Sequence, residues 1–571
     1  YELSAVELRG RAWALAAELA ARRAPTAEAL ASTFVVAVCL QRTPALVVAL
    51  LGALAAGAAY VPLEPSHPGS RLRYILDDSG AELLITCWCA RRRGLLPDER
   101  LVRLTAIGGR LMTEGCRPVV QHACKKSSLE KPAYLMYTSG STGTPKGVLV
   151  ARRGVVNVLQ HFDDLVRGDA GGGDAGGCEV MVAVTTYCFD ISVLEIFWPL
   201  CFGFELFLAS ANTARSGSRL AALLAARGHR ACLLQGTPAT WRSLVHSGWT
   251  GHERLAAICG GEAFPPALVA PLRACAGLGS WNAYGPTEAT IWATAHLLRA
   301  SDEGEVVPLG SPLANTDIFI SASDEGVQDT TTEGIQTGNA VEEAASVLGE
   351  LLIGGIGVAL GYYRRPELTA QVFRPGPSQL GEATKVSTNV YCSGDLVKLM
   401  PGGELHFVGR RDLQVKLRGF RVELGEIEAT LELHPSVQAA AVILSSGVTP
   451  AHRGKAPATG EGSGAALIAH VVLRTSDNSP NAGYVGRKPV VLGAGIQPEF
   501  PPTRPGLRSY LASRLPAYMV PRHVVLVPQL PLSPAGKVDR KRLAEGPLPE
   551  DSGGAAPGAA DLLAGASLLD A

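Results

Sequence analysis

The sequence predicts an α/β fold, with a large N-terminal domain whose sheets are flanked by helices and a small α+β C-terminal domain. Short apolar strands alternate with helical segments up to residue 295, the pattern that a mostly parallel sheet requires. A shorter series of two helices and three strands follows between residues 424 and 528. A chain of 571 residues is long enough to hold both cores.

The composition narrows the range of functions. Lys and Arg together number 52, as do Asp and Glu, so nothing favours nucleic acid or an anionic membrane as a partner. No apolar run reaches the roughly 18 residues of a membrane-spanning helix. The 12 cysteines are scattered without zinc spacing, which predicts buried thiols in a reducing compartment and a cytoplasmic location. Because the chain begins at Tyr1, we expect it to be a piece of a longer protein.

The first elements are predicted to be structural. Residues 3–23 alternate apolar and charged groups at helical spacing, which indicates an amphipathic surface helix. Residues 34–63 contain an apolar strand, a helix rich in Ala and Leu, and then the segment 58–63, and their expected role is packing.

A stretch rich in Gly, Ser and Thr, residues 137–147, follows a short buried strand. Its glycines let the backbone approach a ligand closely, and successive free N–H groups in such a turn bind anions. It is not a P-loop, because Pro145 precedes Lys146 and Gly147 follows it. A solvated linker is the alternative, but the density of donors between two strands favours an anion-binding loop.

Asp190 opens an apolar helix after a predicted strand at 180–184. The local pattern favours an N-terminal cap. The alternative is a buried carboxylate that pairs with a substrate ammonium group, since a buried anion needs a partner.

Three predicted strands end in polar segments, at residue 235, at 258–262 and at 282–288. Ligands of open α/β sheets bind beyond the carboxyl ends of the strands, so we expect these segments to converge. Tyr284 offers a flat face to a base, and Glu288 offers a hard oxygen to Mg²⁺. An ordinary turn residue is the alternative in each case.

Polar or small-residue segments interrupt the chain. Residues 321–347 are predicted to be a disordered insertion, and residues 446–464 and 475–504 to be mobile interruptions of the C-terminal domain. Residues 546–571, rich in Ala, Gly and Pro, are predicted to be a linker.

Residues 137–147 resemble the phosphate loop of the adenylate-forming enzymes, which include acyl- and aryl-CoA synthetases, luciferases and the adenylation domains of nonribosomal peptide synthetases. The resemblance continues in order to about residue 545 and includes every position of 282–288. Asp190 and the form of residues 419–426 favour a peptide-synthetase adenylation domain over a CoA ligase. Two features depart from the family: Cys392 stands where a basic residue is usual, and the insertion at 321–347 is long.

The resemblance implies a site for ATP and Mg²⁺. The residues implied for phosphate are Thr138, Ser139, Gly140, Ser141, Thr142, Gly143, Lys146 and Thr287. Those implied for adenine and ribose are Gly261, Glu262, Asn282, Tyr284, Asp395, Phe407 and Arg410. Glu288 would hold magnesium. Lys537, which by itself would pass for a solvated surface lysine, would be the catalytic lysine.

The resemblance also implies an amino-acid pocket, in which Asp190 grips the ammonium group and Lys537 the carboxylate. The remaining lining residues are Ile191, Leu194, Gln235, Ile258, Gly260, Ala283, Ile291 and Trp292. Because this lining carries no charge, a charged side chain would be left unpaired. The set is similar to the lining of glycine-activating domains, so we expect glycine, with alanine as the second choice.

The implied domains are a large adenylation core over 1–411 whose beginning is missing, a small mobile lid over 412–545 that carries the catalytic lysine, and the linker over 546–571. Asp412 would be the hinge between core and lid.

The implied function is ATP-dependent activation of an amino acid as aminoacyl-AMP, followed by transfer to the phosphopantetheine thiol of a carrier domain. The expected partners are therefore the amino acid, a peptidyl carrier domain and a condensation domain, with neither nucleic acid nor membrane. Two alternatives remain: a standalone acyl- or aryl-CoA ligase, and an inactive adenylation-like scaffold domain.

Overall fold

A computed structural model of the chain describes most of the regular elements. The described residues are 2–23, 33–86, 101–107, 110–113, 128–140, 144–168, 178–227, 230–322, 334–336, 346–376, 389–411, 414–417, 420–445, 465–474, 502–532 and 538–545. Five predicted site residues lie outside these ranges: Ser141, Thr142, Gly143, Asp412 and Lys537. Within the described residues, no helix has the length and apolar character needed to cross a membrane.

The elements confirm the predicted α/β fold, with several sheets flanked by helices. The strands are β1 (Val35–Cys39), β2 (Ala59–Pro62), β3 (Leu83–Thr86), β4 (Leu101–Ile107), β5 (Arg110–Thr113), β6 (Pro132–Thr138), β7 (Lys146–Ala151), β8 (Val180–Ala183), β9 (Glu205–Leu208), β10 (Cys232–Gly236), β11 (Leu255–Gly260), β12 (Gly279–Tyr284), β13 (Thr294–Leu297), β14 (Ser311–Pro312), β15 (Thr316–Ala322), β16 (Gly334–Gln336), β17 (Val347–Gly355), β18 (Gly361–Tyr362), β19 (Phe373–Pro375), β20 (Asn389–Leu399), β21 (Leu405–Arg410), β22 (Gln414–Leu417), β23 (Phe420–Glu423), β24 (Val437–Ser445), β25 (Ala466–Leu473) and β26 (His523–Leu526).

The helices are α1 (Ala5–Arg22), α2 (Pro44–Ala55), α3 (Gly69–Ser79), α4 (Arg152–Gly168), α5 (Ile191–Phe202), α6 (Ala211–Ala214), α7 (Gly217–Ala225), α8 (Pro238–His246), α9 (Val269–Cys275), α10 (Pro366–Val372), α11 (Leu424–Glu432), α12 (Arg504–Ala512) and α13 (Arg540–Glu545). The predicted amphipathic helix is α1. It begins with a capping box, in which the Ser4 hydroxyl accepts from the Glu7 N–H and the Glu7 carboxylate accepts from the Ser4 N–H.

The first sheet joins eight strands in the order β18-β7-β6-β2-β1-β3-β4-β5. Its central strands run parallel and β1 is buried along its whole length, as expected for a sheet covered on both faces. β6 and β7 form an antiparallel pair in which Thr138 lies opposite Lys146. The predicted anion-binding loop therefore connects these two strands.

The second sheet has the order β14-β13-β12-β11-β10-β8-β9 and is parallel from β9 to β12. In this register Gln235 on β10 lies opposite Ile258 on β11, and Gly260 on β11 lies opposite Ala283 on β12. The three strand ends that the sequence analysis expected to converge thus meet at one edge of the sheet.

A third sheet is antiparallel, with the order β16-β15-β17-β20-β19 and β21 beside β20. It corrects part of the disorder prediction for 321–347, because Gly334–Gln336 forms the edge strand β16. β16 pairs with Phe319, Ile320 and Ser321 of β15. This pairing gives hydrogen-bond partners to one edge of β15. The polar composition of residues 321–347 does not indicate such a strand.

The chain divides into two compact units, one comprising Tyr1–Glu426 with Arg514–Pro516 and the other Ile427–Ser513 with Ala517–Ala571. The second unit contains the three-stranded sheet β24-β25-β26 and the helices α12 and α13. The helices and strands predicted between residues 424 and 528 are all present. The β22–β23 hairpin belongs to the first unit, and the domain boundary at residues 411–412 remains a prediction.

Candidate active site

The two ends of the predicted phosphate loop lie within the described residues. Gly140 allows no side chain, since a Cβ there would lie 1.9 Å from the Thr144 carbonyl oxygen. The Thr138 hydroxyl is buried and has no hydrogen-bond partner within the described part of the chain. The Ser139 hydroxyl donates to the Arg421 carbonyl oxygen over 2.8 Å. Among the described residues, the Thr138 hydroxyl is therefore the donor at this loop that remains available to a ligand.

Glu288 lies in a 3-10 turn, Thr287–Ala289, and is fully buried. The Tyr362 hydroxyl donates to its Oε1 over 2.7 Å, and Arg421 pairs with its Oε2 over 2.7 Å. Lys146 Nζ in turn donates to the Tyr362 hydroxyl over 3.0 Å. Burial alone would raise the pKa of Glu288, but the charges of Arg421 and Lys146 lower it to about 2.

This arrangement does not fit a magnesium ion on Glu288. Both carboxylate oxygens are engaged, one of them by a guanidinium group. Within the described ranges, no group of three or more His, Cys, Asp and Glu side chains could hold a metal ion. The assignment of Glu288 to Mg²⁺ remains a prediction, and it requires the ion pair with Arg421 to open.

A second polar cluster surrounds Asp395, which is buried on β20. The Tyr284 hydroxyl donates to its Oδ2 and Arg410 pairs with its Oδ1, each over 2.5 Å. Lys416 Nζ lies 5.3 Å from the centre of the Tyr284 ring. Three of the residues predicted for adenine and ribose, together with a cation that the sequence analysis did not select, therefore share one cluster.

The other residues predicted for adenine and ribose lie on strands or directly after one. Asn282 is buried on β12 and donates from Nδ2 to the Pro308 carbonyl oxygen over 2.8 Å. Phe407 packs against the apolar cluster that includes Tyr284. Gly261 and Glu262 follow β11 and are half-buried.

Asp190 occupies the N-cap position of α5 but makes no side-chain capping hydrogen bond. The structure therefore contradicts the capping interpretation. The carboxylate is buried, and its Oδ2 has no hydrogen-bond partner among the described residues. Burial raises the pKa of Asp190 to about 6, although the Thr287 hydroxyl acts in the opposite direction. An orphaned buried carboxylate oxygen suits a cationic ligand.

The predicted pocket residues are buried side by side. They are Ile191 and Leu194 on α5, Gln235, Ile258, Gly260 and Ala283 on the paired strands β10 to β12, and Ile291 and Trp292 after the 3-10 turn. The Gln235 side chain links two sides of this group, since it donates to the Ile191 carbonyl oxygen and accepts from Trp292 Nε1. The group carries no charge apart from Asp190.

Sequence reasoning missed Arg421, Tyr362 and Lys416. Arg421 and Lys416 are both largely covered, and the Arg421 side chain is only 14% exposed. The local pattern offers no signal for Lys416, because its apolar neighbours Val415 and Leu417 point to the opposite face of strand β22.

The sequence matches the family described as AMP-binding enzyme over residues 3–363, more than half of the chain. The chain belongs to the family of AMP-binding enzymes. The predicted resemblance to adenylate-forming enzymes is thereby confirmed, as is the expectation of an AMP-forming ligase.

Among curated relatives, this AMP-binding enzyme is 34% identical over 518 residues to a dimodular nonribosomal peptide synthase of Bacillus subtilis, covering 90% of this chain and 19% of that protein. It is 32% identical over 533 residues to tyrocidine synthase 3 of Brevibacillus parabrevis, covering 91% of this chain and 7% of that protein. The chain thus spans a small fraction of the length of both relatives.

Among solved structures, the AMP-binding enzyme resembles a four-domain nonribosomal peptide synthetase, holo-AB3403, bound to AMP and glycine, with 31% identity and a TM-score of 0.58. The match covers 97% of this chain and 35% of that one. An artificially fused adenylation–PCP di-domain from Klebsiella oxytoca shares the fold, with 22% identity, a TM-score of 0.67, and coverage of 92% of this chain and 88% of that one.

Proposed function

We propose that this chain is a peptide-synthetase adenylation domain that activates an amino acid with ATP as aminoacyl-AMP and releases pyrophosphate. The observation that carries the proposal is the buried Asp190 carboxylate. Its Oδ2 has no partner among the described residues, and the neighbouring pocket side chains are uncharged. An ammonium group would supply that partner. A fatty or aryl acid has no such group, which disfavours the CoA-ligase alternative.

In the proposed reaction, a carboxylate oxygen of the amino acid attacks the α-phosphorus of ATP and the bond to pyrophosphate breaks. Both reactants are anions, so the chain must stabilise negative charge. The donors that would stabilise this negative charge are Thr138, Lys146 and the backbone of the loop between β6 and β7. Lys537 is the predicted catalytic lysine. Asp395 would bind the ribose hydroxyls and Tyr284 the adenine. The resemblance implies Mg²⁺ on Glu288 as a further source of positive charge, and that role requires the ion pair between Glu288 and Arg421 to open.

In the second step, a phosphopantetheine thiol attacks the acyl carbon and AMP leaves. The predicted partners are therefore a peptidyl carrier domain and a condensation domain. The similarity to a four-domain nonribosomal peptide synthetase, at 31% identity, supports the expectation of further domains that work with this one. The cytoplasmic location remains a prediction from the cysteine pattern.

Glycine is the proposed substrate and alanine the second choice. Trp292 fills volume that a larger side chain would need, and the absence of charge disfavours Asp, Glu, Lys and Arg. The relative bound to AMP and glycine supports this choice. Discrimination of one methylene is worth only about 1–3 kcal/mol, so some activation of alanine is expected.

The test is ATP–pyrophosphate exchange with purified protein and each of the twenty amino acids, with fatty and aryl acids in parallel. Glycine-dependent exchange is expected. Exchange with fatty or aryl acids alone would favour the CoA-ligase alternative, and no exchange with any acid would favour the inactive scaffold. An aromatic or charged best substrate would refute the pocket assignment.

A further inference from the structure

A fully buried glutamate, Glu195, lies on α5 behind the predicted amino-acid pocket and has no part in the chemistry proposed above. Its Oε2 accepts from the Val184 and Thr185 N–H groups over 2.9 and 3.0 Å, and its Oε1 accepts from the Thr185 hydroxyl over 2.5 Å. These bonds tie α5 to the segment that follows β8. Glu195 is therefore held at a fixed position in the core.

Gln235, one of the predicted pocket residues, lies next to this carboxylate and is also fully buried. Its Nε2 donates to the Ile191 carbonyl oxygen over 2.8 Å and lies 3.5 Å from Glu195 Oε1. Two acceptors thus face the amide nitrogen, so the amide oxygen must point the other way. That oxygen accepts from Trp292 Nε1 over 3.0 Å.

Trp292 is confined on its other sides. A Cβ on Gly260 would lie 2.5 Å from the edge of the indole ring, so the ring rests directly on the Gly260 backbone. The two residues before it, Thr290 and Ile291, have φ values of +59° and +70°, which are unfavourable for side chains branched at Cβ. Strain of this kind persists where the surroundings hold a segment in place. The Thr290 hydroxyl provides such an anchor by donating to the Gly357 carbonyl oxygen over 2.6 Å.

We propose that Glu195 is a positioning residue: through Gln235 it fixes the indole ring of Trp292 and so sets the largest side chain that the pocket accepts. This inference rests on the proposed amino-acid activation and deepens it. The carboxylate contacts no substrate. It orients the Gln235 amide, and the amide in turn prevents the indole from rotating away from the pocket.

The experiment compares the ratio of kcat/KM for alanine to kcat/KM for glycine in ATP–pyrophosphate exchange. The variants are Glu195→Gln and Gln235→Leu, each close in size to the residue it replaces, and Trp292→Phe, which removes the hydrogen bond together with part of the ring. Each variant is expected to raise this ratio by about tenfold or more. Discrimination between two substrates that differ by one methylene has this order of magnitude in a confined pocket. Gln235→Leu combined with Trp292→Phe should raise it no further than Trp292→Phe alone, because the hydrogen bond that Gln235→Leu removes is already lost in that variant.

The matched control is Trp241→Phe. Trp241 is fully buried, and its Nε1 donates to the Ile258 carbonyl oxygen over 3.1 Å, so this variant also loses a buried indole hydrogen bond. General loss of stability would lower exchange with both amino acids, and the ratio in this control should match that of the unmodified protein. An unchanged ratio in Gln235→Leu and Trp292→Phe would refute the positioning role.

The proposed function and the positioning role of Glu195 are tested by different outcomes. If the unmodified protein activates no amino acid, the proposed function is wrong. If it activates glycine and the ratio moves in Gln235→Leu but not in Glu195→Gln, the indole is fixed by Gln235 alone and Glu195 is not the positioning residue.

Discussion

Asp190 combines burial with an incomplete set of hydrogen bonds. Its Oδ2 has no partner among the described residues, and burial raises its pKa from an ordinary value of 3.8 to about 6. At neutral pH the folded protein therefore holds a carboxylate whose charge is poorly compensated. Buried side chains that lower the stability of the ligand-free protein are typical of ligand sites, because the ligand supplies the missing interaction.

We expect Asp190→Asn to raise the free energy of unfolding near pH 7.5 by on the order of 1–3 kcal/mol, since the amide carries no charge to desolvate. The folded wild-type protein binds the Asp190 proton more tightly than the unfolded chain does. This residue's contribution to stability is thus present below pH 4 and is lost as the pH rises from about 4 to about 6. Urea unfolding of both proteins across this range measures the difference.

The same substitution should lower kcat/KM for the amino acid by about 30-fold or more, because a buried charge pair loses one partner. Unaltered exchange by a folded Asp190→Asn protein, or destabilisation near pH 7.5, would contradict the assignment of Asp190 to the substrate ammonium.

Lys537→Ala should reduce amino-acid-dependent exchange by about 10²–10³-fold, the usual loss when one group that stabilises developing charge is removed. Circular dichroism and thermal unfolding serve as the controls for folding, and both should match the unmodified protein. Near-normal exchange would remove Lys537 from the mechanism.

The β22–β23 hairpin brings Arg421 to Glu288, which follows the end of β12. Glu288 is fully buried, and the Arg421 side chain is 14% exposed. Breaking a buried ion pair costs more than replacing the whole pair, because one charge is left without compensation. The hairpin and the strand end are therefore coupled through this pair.

Arg421→Met should lower the free energy of unfolding by about 3–5 kcal/mol, since Glu288 would lose its cation. Adding Glu288→Gln should recover most of that loss, because no unpaired charge then remains. Chemical unfolding of the two single variants and the double variant completes the cycle. A double variant no more stable than Arg421→Met would show that the pair does not couple these elements.

The loop between β6 and β7 depends on close backbone approach at Gly140. Gly140→Ala would place a methyl group 1.9 Å from the Thr144 carbonyl oxygen, so the loop must move. We expect nucleotide affinity, measured by titration calorimetry, to fall about tenfold or more. The matched control is Gly10→Ala on the exposed face of α1, where a Cβ meets nothing within 4 Å. This control should keep normal affinity and gain up to about 1 kcal/mol of stability.

The chain contains two compact units, and the proposed cycle has two half-reactions that need different groups at the same site. A hinge at the end of an element allows such an exchange. The resemblance assigns the hinge to Asp412, which lies outside the described residues.

Asp412→Pro should slow one half-reaction far more than the other, because proline fixes φ and holds the hinge near one conformation. Single-turnover formation of aminoacyl-AMP and transfer to a pantetheine thiol are measured separately. Equal slowing of both steps would argue against a hinge at this position.

The sequence by itself determined the fold class, the order of the elements and most of the candidate site residues. These features follow from local patterns in the sequence. Examples are the glycines of the loop at 137–147 and the apolar strands ahead of Gln235 and Tyr284. Strand periodicity and the conformational freedom of glycine depend on near neighbours along the chain. The family resemblance then assigned roles to these residues.

Only the tertiary structure decided which side chains meet. It paired Glu288 with Arg421, 133 residues away, and it left Asp190 at a helix start without a capping bond. It also joined Trp292 to Gln235 in the core. Hydrogen bonds between distant segments depend on how the strands and helices pack, and a local pattern holds no record of that packing.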